Sequence, residues 1–171
     1  MFGRWLGRAS TISEPTASEG LERAVRAALP GADQETVMVV AAIAGLLGAV
    51  AYADREYSPA ESLRVRTELA RVQGMPDADV NAIGAVLEAR AVELSTIETP
   101  RLCRVLRELG DRELRLQVLE VLVDLAAEDG GISVAESNVL RRLTTALGLG
   151  QDDYNALQAK HKGRPGAPPL T

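Results

Sequence analysis

A chain of 171 residues, 46% of them hydrophobic, has material for one packed domain and is too short for a second large one. Its formal net charge of −5, from 19 basic and 24 acidic residues, has the wrong sign for coating nucleic acid, so no nucleic-acid partner is expected. The single cysteine, Cys103, excludes an internal disulfide and a thiolate cage, and the single histidine, His161, excludes a histidine-rich zinc site.

Residues 1–19 read as a mobile arm. Phe2, Trp5 and Leu6 beside Arg4 and Arg8 could touch an anionic membrane or a partner, but the start lacks the continuous apolar stretch of a secretory signal. The run from Ser10 to Ser18 is polar and without period. A cytoplasmic protein is expected, with the inner face of the membrane as a peripheral location.

From there on, apolar residues recur at three-four spacing between breaks at Gly, Pro, Ser and Asp, with no clean period-2 alternation. The pattern predicts an all-α fold, a compact helical bundle of about seven to eight helices over 20–162. The helices fall near 20–29, 33–54, 59–73, 77–93, 99–109, 111–128, 134–147 and 151–161. Residues 163–171, rich in Gly and Pro, read as a flexible tail.

The second of these helices holds eighteen uncharged residues from Thr36 to Ala53, near the lower limit for crossing a bilayer. Its Ala, Gly and Val content, and flanks of Glu35 and Asp54 without basic bias, favour a buried core helix; no transmembrane span is expected.

An internal repeat organises the chain. Ala51 to Glu61 (AYADREYSPAE) lies over Ala126 to Glu136 (AAEDGGISVAE) at an offset of 75, and Gly74 to Ile83 over Gly148 to Leu157 at an offset of 74. Each half reads as long helix, acidic loop, amphipathic helix, glycine turn and short helix, and the two are expected to pack about a pseudo-twofold axis. Core positions match as well: Val65, Leu69 and Val72 over Val139, Leu143 and Ala146, and Val80, Ile83 and Leu87 over Tyr154, Leu157 and His161. The long helices differ. Glu113, Gln117, Glu120, Asp124 and Glu128 form a polar stripe on the second, where the first has Met38, Ala42, Gly45, Ala49 and Ala53. The first helix should therefore be enclosed, within the domain or at a homodimer contact.

Asp54 and Asp129 each end a long helix, where unpaired carbonyls already concentrate negative charge, so something positive should compensate. Glu61 and Glu136 sit seven residues further on. Each loop thus brings two carboxylates and several carbonyls that could surround a hard divalent cation, with Glu56 and Glu128 as further oxygen donors. The same residues have a plainer reading: Ser58-Pro59-Ala60-Glu61 and Ser133-Val134-Ala135-Glu136 are capping boxes, and the aspartates can bond loop amides. Both readings stand on the residues alone.

With this motif in place twice, the chain resembles TerB-like tellurite-resistance domains, whose signature is alanine-aspartate-glycine followed by serine and glutamate; a similar pattern marks a domain beside some membrane-anchored DnaJ-type co-chaperones. The resemblance covers residues 33 to 160. It implies an all-helical domain with two related halves, and a divalent metal of unstated identity held at Asp54, Glu61, Asp129 and Glu136. It further implies work in bacterial stress responses beside protein partners, membrane-associated ones among them. Arg55 departs from the pattern, standing where glycine is usual. A left-handed turn would be harder there and the arginine could itself neutralise Asp54, so the first loop is the weaker metal candidate.

No phosphate-binding glycine loop, nucleophile elbow or zinc-protease motif occurs, so no catalytic residues and no enzyme are expected. The reading is a non-enzymatic stress-response module with metal-binding acidic loops, against a metal-free helical adaptor in which the loops are only caps. A metal-dependent hydrolase would need carboxylates of both halves to converge with an open coordination position. Nor is there a soft thiolate cluster to handle tellurium.

Overall fold

The structure, a computed structural model, describes residues 13–162. Among them there is no strand. The helices are α1 (Ala17–Ala28), α2 (Gln34–Ala51), α3 (Pro59–Gln73), α4 (Asp77–Ala89), α5 (Ala91–Glu93), α6 (Thr99–Leu109), α7 (Arg112–Ala127), α8 (Val134–Ala146) and α9 (Gln151–Lys162), with a π-helical turn, Leu94–Glu98, between α5 and α6.

The expected all-α bundle is what forms, and α2 is its axle. Every residue from Val40 to Ala51 is buried, and α1, α3, α4, α6, α7 and α8 all pack on this helix. The small residues on α2 make that possible. A Cβ added to Gly45 would lie 2.5 Å from Leu102 Cδ1 and 3.2 Å from Leu21 Cδ1, and one on Gly48 would lie 3.2 Å from Leu87 Cδ2. Although α2 is long and apolar enough to cross a membrane by length and composition, its apolar surface is spent inside the fold. By contrast Glu113, Gln117, Asp124 and Glu128 on α7 are exposed and Glu120 half-buried, so the polar stripe faces outward while Leu119, Leu122, Val123 and Ala126 enter the core.

Two stretches differ from expectation. Helix α1 starts at Ala17, three residues before the predicted 20 and inside the segment read as an arm. Thr16 is its N-cap: the Glu19 amide donates to Thr16 Oγ1 at 3.2 Å, and the Thr16 amide donates back to the Glu19 carboxylate at 2.7 Å. Distant side chains hold the start in place. The Ala17 amide donates to Glu93 Oε1 at 2.9 Å, Arg90 donates to the Pro15 carbonyl at 3.1 Å, and the buried Ser18 hydroxyl donates to the buried Glu98 carboxylate. The rest of the arm, residues 1–12 with Phe2, Trp5 and Leu6, and the predicted tail 163–171 lie outside the described residues.

The predicted helix 77–93 ends early, at Ala89, and the chain reaches α6 through the π-helical turn. Pro100, in the first turn of α6, has no N–H to offer the carbonyl one turn back, and Thr99 Oγ1 donates to the Leu94 carbonyl at 2.7 Å instead.

Helices α2, α3 and α4 and helices α7, α8 and α9 follow one another in the same order through like joints. Gly74 and Gly148 follow α3 and α8 with φ of 61° and 70°. Of the matched core positions, Val65, Leu69, Val80, Ile83, Leu87, Leu143, Tyr154 and Leu157 are buried, whereas Val139, Ala146 and His161 are half-buried; the side chain of Val72 lies outside the described ones. Leu140 and Thr144, one position along from expectation, fill the core from α8.

Candidate functional site

The first acidic loop follows α2. The Arg55 amide donates to the Tyr52 carbonyl at 2.9 Å and the Glu56 amide to Asp54 Oδ1 at 3.1 Å, closing the turn locally. Arg55 takes φ of 69°, the left-handed conformation that costs an L-residue about 1–2 kcal/mol. The turn expected to be harder with arginine forms nonetheless. Arg55 makes no ion pair with Asp54 among the described residues, contrary to the expected neutralisation. Tyr57, packed against the core, has its hydroxyl pKa pushed up to about 12 by burial.

The second loop follows α7 and makes the same turn with glycine: Gly130 has φ of 92° and donates to the Ala127 carbonyl at 3.1 Å. Its aspartate is engaged differently. Arg64, one turn into α3 and with its side chain only 17% exposed, bonds Asp129 through Nη2, and its Nε lies 3.8 Å from Glu128 Oε2. The positive charge that the α7 C-terminus calls for thus comes from the other half of the molecule.

The two glutamates are caps. Ser58 Oγ accepts from the Glu61 amide at 3.2 Å and Ser133 Oγ from the Glu136 amide at 3.1 Å; the Ser58 and Ser133 amides donate back to the glutamate carboxylates at 2.6 and 2.8 Å. Glu61 and Glu136 nevertheless meet, with Arg64, around a cavity of about 10 Å³ walled by Val50, Ala51, Leu125 and Ala126, no larger than one water molecule. Of the four residues expected to ligate a metal, the structure therefore brings Glu61 and Glu136 to one place and ties Asp129 to the same arginine. Asp54 is exposed, bonded within its own loop, and does not line the cavity.

A hard divalent ion wants six to eight oxygens converging on one point. Here two carboxylates are committed to capping amides, one to a loop amide and one to a guanidinium. No group of three or more His, Cys, Asp or Glu among the described residues is placed to hold a metal. The donor set does not fit a preformed divalent site.

A larger feature lies beside these loops. A groove of about 690 Å³ between α3, the end of α7 and α9 is lined by Glu68, Asp124 and Glu128, by Arg71, His161 and Lys162, and by the loop residues Gly130, Gly131 and Ile132. Glu68 is paired with Arg71 at 2.6 Å, but burial outweighs that pairing and holds its carboxyl above the usual range. His161 Nε2 lies 2.7 Å from Asp124 Oδ1, and Lys160 lies 2.8 Å from Glu120, so α9 is pinned along the polar stripe of α7. A second groove of about 420 Å³, more apolar, runs between α2, α6 and α7 past Val39, Ile43, Leu114 and Val121, with Asp33 and Glu35 at one end. Cys103 is buried and its thiol is pushed up to about 12 by desolvation, which makes it inert.

Sequence reasoning missed Arg64, Glu68 and Arg71. Nothing local to Arg64 signals partners 64 and 65 positions away.

Two successions of long helix, acidic loop, serine-capped helix and glycine turn define the class: an all-helical module with paired acidic loops. The family model for tellurite resistance protein TerB matches residues 40–159, and the chain belongs to that family. No curated protein and no solved structure matches it. Helix α1 lies outside the matched stretch although it fills the core with Leu21 and Val25.

Proposed function

We propose that this TerB-family chain is a non-enzymatic, cytoplasmic stress-response module that acts by docking protein partners, its acidic loops serving as helix caps and as a joint between the halves. The observation that carries this reading is the groove between α3, α7 and α9. Its volume is about 690 Å³, and charged side chains of both signs line it, suited to polar recognition of a peptide segment. The chemistry of the one thiol supports the non-enzymatic part: Cys103 is buried and inert.

Crosslinking of the intact protein in its own cells, followed by mass spectrometry, tests the docking. Charge reversal at two exposed groove residues, Asp124→Lys with Lys162→Glu, should remove the captured polypeptide, whereas Glu35→Lys at the other groove should retain it. Equal capture by all three proteins would take the docking surface away from this groove.

A further inference from the structure

We infer that Arg64 occupies the place a divalent cation would take between the two acidic loops, so that this chain carries its compensating charge built in. The inference rests on the reading of the loops as metal-free caps. Four observations bear on Arg64. The C-terminal end of α7 and the adjoining Glu128 and Asp129 concentrate negative charge. Glu61 of the first half and Glu136 of the second line one cavity. Arg64 lines that cavity too, with its stem mostly covered and its head on Asp129 and close to Glu128. Finally, with Val65 over Val139 the repeat places the uncharged Asn138 opposite it, so the arginine is an addition of one half only.

A forked guanidinium suits this position because it can address two carboxylates at once, and its aliphatic stem can be covered while its head stays polar. Its tether gives it the advantage over a free ion. Arg64 competes as an intramolecular ligand, present at high effective concentration, and a metal must displace it before recruiting Asp129.

The test is thermal unfolding of the full chain in chelator and in millimolar Ca²⁺, Mg²⁺, Mn²⁺ or Zn²⁺, for wild type, R64Q and R64Q/D129N. Expected is an unchanged wild-type midpoint, an R64Q midpoint that is lower in chelator and rises by a few degrees with at least one of the metals, and loss of that rise in R64Q/D129N. Should R64Q not fold, R64M takes its place, since it keeps an apolar stem of similar length under the same cover and carries no charge, and the same comparison decides. A metal-dependent rise in wild type as large as in the variant would overturn the inference, as would the absence of any rise in the variant. Partner capture plays no part in this readout, so a failure here and a failure of the docking reading are separate results.

Discussion

The two acidic loops share a turn, a serine cap and a returning glutamate, yet they differ in what holds their aspartates. Asp129 is tied to Arg64 of the opposite half, while Asp54 bonds only the Glu56 amide two residues on. The same contrast separates the long helices. Helix α2 trades charge for small residues and is buried throughout from Val40 to Ala51; α7 keeps its carboxylates and meets α9 and α3 through Lys160, His161 and Arg64. Features whose physics is local, the caps and tight turns, occur alike in both halves. Features that reach across the molecule do not: Arg64 bonds Asp129 of the second loop, and nothing from the second half bonds Asp54 among the described residues.

The largest expected effect breaks the contrast between the long helices. Gly45→Val on α2 drives a branched side chain into Leu102 and Leu21 and should cost about 2–3 kcal/mol. At the matching position of α7, Glu120→Val removes only a half-exposed pairing with Lys160 and should change stability by less than about 0.5 kcal/mol. Urea unfolding of both variants measures the difference; equal costs would mean that α2 is not the more tightly enclosed helix.

Next come the loops. Gly130→Ala places a side chain at φ of 92°, where no neighbour lies within 4 Å of the added Cβ, so the cost is backbone strain alone, about 1–2 kcal/mol. The caps follow closely: Ser58→Ala and Ser133→Ala should each cost about 1 kcal/mol, and by similar amounts, because the two capping boxes match in geometry. Unequal losses in denaturant titrations would show that one capping glutamate does more than cap.

Legibility in the sequence followed the same division. The helix periods, the two capping boxes, the outward stripe of α7 and the enclosure of α2 were all readable, since each is set by residues within a turn or two of one another. The start of α1 was missed although Thr16 and Glu19 spell a capping box, because the polar run around them masked it; its anchors, Arg90, Glu93 and Glu98, lie some 75 to 80 residues on. The π-helical turn escaped because five residues without apolar period look like a break rather than a bridge. At the acidic loops the sequence singled out Glu61, Glu136 and Asp129, which the structure gathers around one arginine, and Asp54, which it leaves bonded within its own loop; the arginine itself went unnamed. A spacing pattern finds residues that repeat, and Arg64 has no repeat.

The smallest effect is the most direct comparison of the two turns, since Arg55 and Gly130 occupy matching positions and both have positive φ. Arg55→Gly removes the left-handed penalty of about 1–2 kcal/mol but gives the unfolded chain extra freedom worth about 0.5–1 kcal/mol, leaving a net gain of about 0.5–1 kcal/mol. Arg55 is exposed, and its amide bond to the Tyr52 carbonyl survives the change, so nothing else of consequence is lost. Urea unfolding that shows a loss instead would assign the Arg55 side chain an interaction of its own, and the first loop would then hold a cation as the second does.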